Sequence, residues 1–586
     1  MSAINTVVIG SGPAGLCLSY ILHGNIPYYN PAVAHPDPEL HRLLVPYEYQ
    51  PGKKSAGRSL LDAVSNKQVL QHVIEKGPHF RSSMLPVNLL LDLLVVSDEI
   101  NYVSRDQMDS RITWIHEPER AIDHVVIGTH PGGQWAQSDT STTTPDDQCL
   151  SYAEMLSLPG YPFSTHYQEK YGKAPPEFLR PRRKDIASYF DAYPDVVGIS
   201  DSLIIGTVIE VDVRNKGGYT VSYNGQVGLM TPGSESVPGS PSGTNSCQTA
   251  PRRTPSCRLT ATNVVLATGI FDKPSQFKTH KHSNCSSKSL LYNSECTGMT
   301  LNELIDKRFN GLFHFDHSDS DITLVVGSGF SAADIISSTF KQGGRVLHLF
   351  KWGDKPCPLK GFPRELYPEY ASIYRWMKLA AAAQKRSANG SQPTNGVVTT
   401  RKCKFEENGC HYEGLANTTI ISAEDGVLKL ELPSGEIVTR KVGSVRICVG
   451  RTGSLQFLSN RILHALDLAQ KEAYTVSKHT ISKRILSPQR KDNKDPPSTA
   501  LTDLGVKHTN RPTSNGDPKT PDSAGASPCT FAGAPGDAAL CEATDQAFYG
   551  DFQVLPNMYA IGSLAGDSLV RFVLGGAAAV GKLLGV

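Results

Sequence analysis

The sequence predicts an α/β protein with two Rossmann-like dinucleotide-binding domains interrupted by disordered insertions. Two glycine-rich loops and one strand end carry that expectation. VVIGSGPAGLCLSYIL holds Gly10, Gly12 and Gly15; ITLVVGSGFSAADIISS holds Gly327 and Gly329, with Ser331 where a third glycine would stand; VVLATG, residues 264–269, lies between them. Each loop sits where an apolar strand turns into an apolar helix, the context that separates a nucleotide loop from incidental glycines.

In the first loop Val7, Val8 and Ile9 read as a buried parallel strand. Gly10 allows the tight turn, Gly12 lets backbone approach a pyrophosphate, and Gly15 lets the helix lie close on the strand. Pro13 and Ala14 open that helix, whose unpaired N–H groups and partial positive charge suit phosphates. Gly10, Gly12, Pro13, Ala14 and Gly15 are therefore the candidates for holding FAD. The next strand ends at Tyr28-Tyr29-Asn30, without the carboxylate that ordinarily takes the ribose hydroxyls, and Asn30 is the candidate acceptor in its stead.

The second loop repeats the logic, with Ala332, Ala333, Ile335 and Ile336 as the packing face of its helix. The strand that follows, residues 345–350, ends at Lys351. A cation there suits the extra phosphate of NADP, so NADPH is favoured over NADH.

Two further stretches suit a flat cofactor ring. HVVIGTHPGGQW would bring the backbone of Gly132 and Gly133 near a ring, with Trp135 stacked beside it. Residues 557–562 read as a strand ending at Gly562, as Gly269 ends the VVLATG strand. Gly566 and Asp567 then read as the cap of a helix starting near residue 568, its N-terminus facing the flavin. Gly575, Gly576 and residues 577–579 would pack that helix closely against the first one.

With 586 residues the chain exceeds one core. The expected division is an FAD-binding domain of residues 1–319 and 452–586 and an inserted NADPH-binding domain of residues 320–451. Residues 228–258, 383–400 and 483–540 are polar and read as disordered loops. A net charge of +2 gives no reason to expect nucleic acid. No run of 18 apolar residues suggests a transmembrane span, and the first strand begins too near Met1 for a leader. The 12 cysteines are scattered without a CxxC pair, which fits a reducing, cytoplasmic setting and argues against a disulfide reductase. His280, His282, His314 and His317 lack metal-ligand spacing, so no metal is expected.

GSGPAG, PGGQW, VVLATG and GSGFSAAD resemble the flavin-containing and N-hydroxylating monooxygenases. SYAEMLSLPGYPF (151–163), VLHLFKWGDKPCPLKGFPRELYPEYASIYRWM (346–377) and AIGSLAGDSLVRFVLGGAA (560–578) resemble, more closely, the oxidative stress-induced growth inhibitor family. The resemblance implies an FAD- and NADPH-dependent monooxygenase-like fold. It further implies a role in restraining growth and in cytokinesis, with association to the midbody and cytoskeleton. It implies Gly10, Gly12 and Gly15 on FAD, Gly327, Gly329, Ser331 and Lys351 on NADPH, and Gly133, Trp135, Gly566 and Asp567 near the flavin. One departure is plain: no FxGxxxH signature stands between Gly269 and Gly327.

The expected reaction is hydride transfer from NADPH to FAD, then reaction of the reduced flavin with O2 to a C4a-hydroperoxide. Its oxygen passes to a substrate or leaves as hydrogen peroxide. No catalytic side chain is assigned, since the cofactor carries the difficult chemistry. The alternative is a catalytically weak nucleotide-binding scaffold, with Ser487-Pro488, Thr520-Pro521 and Ser527-Pro528 as sites of modification.

Overall fold

The structure is a computed structural model that describes residues 4–52, 58–76, 85–95, 110–136, 148–149, 151–225, 256–274, 322–353, 357–360, 364, 367–388, 411–424, 427–474, 476–477, 480–481, 552–567 and 569–586. The expected loop at 483–540, the four histidines from 280 to 317, the Ser/Thr-Pro dipeptides and most of 228–258 lie outside the described residues.

β1 (Ile4–Ile9) is buried from Thr6 onward and feeds α1 (Pro13–Leu22), in which every residue after Pro13 is buried. A helix apolar all round belongs in a core. β2 (Asn25–Tyr29) comes next, and α2 (Pro86–Val95) follows, an apolar helix on which Asn88 and Asp92 are also buried. β2 then pairs antiparallel with β3 (Ile112–His116), Tyr29 opposite Ile112. The strand beside β1 is β4 (His124–Gly128), parallel from Thr6–His124 to Ile9–Ile127. The strand after α1 thus turns away into a two-stranded arm, and one of the two neighbours of β1 is laid down only when the chain reaches His124.

After α3 (Arg183–Val196), β5 (Leu203–Val213) starts parallel to β4 and then pairs antiparallel with β6 (Tyr219–Gly225). β7 (Ser256–Leu266) pairs with β6 over its first half and with β1 over its second. Residues 256–258 thus already belong to β7, where a loop to residue 258 was expected.

The second sheet is entirely parallel. β8 (Ile322–Val326), α4 (Phe330–Lys341), β9 (Arg345–Phe350), α5 (Pro368–Ala388) and β10 (His411–Ala416) lead to the order β10-β9-β8-β14, with β14 (Ser444–Ile447) closing it. α5 runs six residues into the expected loop at 383–400, because its KLAAAAQK stretch has high helix propensity. β11 (Thr419–Glu424), β12 (Val427–Glu431) and β13 (Ile437–Lys441) form an antiparallel meander. Its Leu428 and Leu430 share a core with Leu324, Val326, Leu347 and Leu349.

The C-terminal segment rejoins the first sheet. β15 (Gln553–Leu555) is the antiparallel edge and β16 (Met558–Ala560) lies parallel to β7. α6 (Val573–Leu584) packs on α1, where a Cβ on Gly581 would come 2.9 Å from Ile21. The expected contacts of Gly575 and Gly576 with α1 are corrected: Gly575 faces Asn88 of α2 and Gly576 faces Phe552. Each sheet carries a glycine loop at the carboxyl end of its first strand, which makes this an α/β protein with two Rossmann-like units of the FAD/NAD(P)-binding type. Among the described residues no helix is long and apolar enough to cross a membrane.

Candidate functional site

A cleft of about 2800 Å³ opens at the carboxyl ends of the parallel strands of both sheets, where open α/β sheets bind their ligands. Gly10, Gly12, Pro13, Ala14, Gly133, Trp135, Gly269, Gly327, Gly329, Ser331, Lys351, Gly562 and Asp567 all line it. Gly15, Asn30 and Gly566 do not.

The glycines divide by what surrounds them. Gly10 (φ +114) and Gly327 (φ +139) are fixed by the fold: a Cβ would sit 2.3 Å from the Ala267 carbonyl oxygen and 2.0 Å from that of Cys448. Gly15 is likewise structural, its Cβ falling 2.0 Å from the Gly10 oxygen. Gly12 and Gly329 differ. A Cβ on Gly12 would meet only Gly133 Cα at 4.0 Å, and one on Gly329 nothing within 4 Å. Both have negative φ and cap α1 and α4. The described residues therefore give no reason for glycine at either position, and both positions line the cleft.

Asn30 is a correction to the sequence reading. Its amide donates to Ser110 O at 3.1 Å and its oxygen accepts from Ala32 N at 3.2 Å, so it closes its own turn on the β2–β3 arm. A strand end of the first unit that does reach the cleft is Gly128-Thr129-His130, where β4 ends. Ser11 donates from Oγ to the His130 carbonyl at 2.6 Å, and a Cβ on Gly128 would fall 2.1 Å from that Oγ. A carboxylate side chain cannot stand at residue 128 while Ser11 holds this contact.

The helix expected from residue 568 is a second correction. Gly566 (φ +111) ends a short 3-10 turn, Gly562–Ala565, another follows at Val570–Phe572, and α6 begins only at Val573. Among the described residues Asp567 caps no helix; its Oδ1 accepts from Asn88 of α2. Ser568 lies outside the described residues. Burial lifts the Asp567 carboxyl well above the ordinary carboxylate range, against the opposing pull of the Asn88 hydrogen bond.

Three buried polar atoms on the cleft wall have no partner among the described residues: Trp135 Nε1, Thr268 Oγ1 and Asp567 Oδ2. Orphaned buried polar atoms are costly, and these three belong to residues that line the cleft. Arg183 lies 5.8 Å over the Trp135 ring and donates to the Gln134 carbonyl, holding that corner.

At the second loop, sequence reasoning missed His348 and Asn417. His348 is fully buried. Its Nε2 donates to Gly327 O at 2.6 Å, which leaves Nδ1 to accept from the Tyr412 hydroxyl at 2.8 Å. Burial pushes its pKa down to about 4, although the bond to Gly327 pulls upward. The unfolded chain therefore binds the proton first: this contribution is complete above pH 6.5 and is lost as pH falls from 6.5 through 4. Its size is on the order of 3 kcal/mol. His348→Gln should make the urea midpoint less pH-dependent across that window, and an unchanged slope would contradict the assignment. Asn417 (φ +50) clamps the end of β9, accepting from Trp352 N at 2.8 Å and donating to Trp352 O at 2.7 Å and Phe350 O at 2.8 Å. Lys351 sits within this clamp, exposed on the cleft rim.

No family model matches the chain. Oxidative stress-induced growth inhibitor 1 of Homo sapiens is 30% identical over 382 residues, covering 64% of this chain and 68% of the relative. The chain belongs to the oxidative stress-induced growth inhibitor family. The growth inhibitor 1 of Mus musculus is 29% identical over 391 residues, 64% of this chain and 68% of the relative. The family homologue of Caenorhabditis elegans is 22% identical over 458 residues, 76% and 82%. Among solved structures, the flavin-containing monooxygenase of Stenotrophomonas maltophilia aligns over 100% of this chain and 98% of its own at 10% identity and a TM-score of 0.38. The bacillithiol disulfide reductase of Staphylococcus aureus aligns over 78% and 79% at 12% identity and a TM-score of 0.34. The fold assignment rests on the sheet topology.

In this member of the growth inhibitor family the residues present fit two dinucleotides. Gly12 and Gly329 each lie at a helix N-terminus where backbone alone faces the cleft, and the three orphaned atoms gather around the first loop and the 562–567 turn. Among the described residues no cluster of histidine, cysteine or carboxylate side chains could hold a metal.

Proposed function

We propose that the cleft binds FAD at the first loop and NADPH at the second, and that the protein is an NADPH-dependent flavin oxidoreductase acting as a monooxygenase or an oxidase. The observation that carries this reading is the pair Gly12 and Gly329, glycines that the fold does not require. Bound FAD would supply hydride acceptance from the nicotinamide and reaction with O2. The chain's own part is to bind, orient and shield. The N-terminus of α1 would take the pyrophosphate of FAD, and that of α4 the pyrophosphate of NADPH. Trp135 Nε1, Thr268 Oγ1 and Asp567 Oδ2 would satisfy polar atoms of the flavin half. Gly269, Gly562 and Gly133 would let backbone come close to the ring, and Asn417 would hold Lys351 toward the 2′-phosphate. In this reading residues 1–319 and 452–586 form the FAD domain and residues 320–451 the NADPH domain.

The relatives' names carry growth inhibition under oxidative stress, and we extend that output to this chain, together with the cytokinesis and midbody role implied by the family resemblance. The absence of a carboxylate at Gly128 favours one second reading, a weakly flavinated nucleotide-binding scaffold.

Absorbance of the purified protein separates the two. Flavin bands that bleach with NADPH and recover in air support the oxidoreductase; protein that stays colourless with added FAD supports the scaffold. Peroxide formed per NADPH then divides oxidase from oxygenase. Lys351→Ala should raise KM for NADPH roughly tenfold, the loss of one charge-assisted bond, and leave NADH unchanged. Equal losses for both nucleotides would remove Lys351 from the 2′-phosphate.

A further inference from the structure

Two rungs join α2 to the segment between β16 and α6. Asn88 and Asp92 stand four residues apart on α2 and share a face. Asn88 Nδ2 donates to Asp567 Oδ1, and four residues further along both segments Arg571 donates to Asp92 at 2.7 and 2.9 Å. Asn88 is 2% exposed and Asp567 8%. The fold makes room for the first rung: a Cβ on Gly575 of α6 would lie 2.3 Å from Asn88 Oδ1 and 2.5 Å from its Cα.

Charge balance fixes what Asp567 can be. Arg571 spends its guanidinium on both oxygens of Asp92, and the partner of Asp567 is the neutral amide of Asn88. An ionised carboxylate there would be a buried charge facing one neutral donor, which is far costlier than a neutral acid. Asn88 donates to Oδ1, so a proton on the carboxyl belongs on Oδ2, the oxygen that has no partner among the described residues and whose residue lines the cleft.

We propose that Asn88 is a positioning residue of the cleft: by occupying Oδ1 of the buried, neutral Asp567 carboxyl it places the acid's proton on Oδ2, with Oδ2–H presented to an acceptor atom of the bound flavin. This rests on the FAD reading above and adds to it a polarity and a residue, α2's Asn88, that lies outside both nucleotide loops. Burial, which lifts the carboxyl out of the ordinary carboxylate range, keeps the acid neutral against the pull of the Asn88 hydrogen bond.

The polarity is testable because an amide reproduces a neutral acid and not a carboxylate. In Asp567→Asn the amide oxygen accepts from Asn88 and the amide N–H donates to the ligand. FAD titration of the full-length protein, followed by flavin fluorescence, should find Asp567→Asn within about threefold of wild type, and Asp567→Ala and Asn88→Ala weaker by about tenfold, the worth of one buried hydrogen bond. Asp567→Asn losing as much as Asp567→Ala would make the carboxyl an acceptor and overturn the proposal, as would wild-type affinity in Asn88→Ala. Infrared difference spectra of wild type minus Asp567→Asn at pH 7, taken without added flavin, should show a protonated-carboxyl carbonyl band. Carboxylate stretches alone would overturn the proposal even where FAD binds. Wild-type protein that takes up no FAD removes the cofactor reading and the proposed ligand with it, while the infrared band still reports the carboxyl itself.

Discussion

Gly12→Ala is expected to leave the protein folded and to weaken FAD binding on the order of 100-fold. Position 12 has φ −70° and ψ 177°, extended backbone open to any residue, and the added methyl would meet only Gly133 Cα at 4.0 Å. The unfolded chain loses entropy on the substitution, so the melting temperature should hold or rise slightly. The methyl instead enters the space of the pyrophosphate, where overpacking of a close contact costs about 1–3 kcal/mol. Gly329→Ala is the counterpart for NADPH, with none of the described residues within 4 Å of the added methyl. Gly10→Ala and Gly15→Ala are the controls with the opposite outcome: their methyls would strike backbone oxygens at 2.3 and 2.0 Å, and the protein should fail to accumulate in folded form. Thermal melts beside FAD and NADPH titrations check all four. Unchanged FAD affinity in a folded Gly12→Ala protein would remove the pyrophosphate from the first loop.

The contrast between Gly12 and Gly10 also marks what was legible in the sequence. Strand, turn and helix are local, so the two loops and their flanking strands are readable from pattern alone. Strand neighbours are not local. Asn25–Tyr29 has the composition of a strand and is one, but nothing within it says that its partner is Ile112–His116 instead of Ile4–Ile9. Asn30, read as the ribose acceptor, ends that strand and so sits on the arm and off the cleft wall. His124–Gly128 carried the better signal, an apolar strand running straight into the PGGQW turn, yet the need for glycine at 128 becomes visible only when Ser11 is seen beside it. Gly566-Asp567 resembles a helix cap in sequence because aspartate is a good cap; in the fold that side chain is taken by Asn88, 479 residues earlier. Two polar residues four apart in the apolar run PVNLLLDLL were the available signal for both rungs.

Removing either partner of the second rung should be among the most damaging single changes in the protein, at about 3–5 kcal/mol. Arg571 and Asp92 have side chains 2% and 0% exposed, and the guanidinium meets both carboxylate oxygens. Asp92→Ala leaves a buried cation, Arg571→Ala a buried anion, and neither can reach water without opening the contact between α2 and the approach to α6. Neither residue lines the cleft, whereas Leu569, Val570 and Val573 beside Arg571 do. The rung therefore acts on the site through the backbone that carries those three side chains, and loss of FAD should follow loss of fold. Replacing both partners at once, as Asp92→Leu with Arg571→Met, should recover most of the stability, since a buried ion pair often gains nothing over apolar side chains of similar volume. Urea unfolding of the three variants, read beside FAD affinity in the folded baseline, distinguishes the cases. Single variants that unfold like wild type would show the pair to be energetically idle, and a double variant as unstable as the singles would show that packing at this corner tolerates only the charged pair.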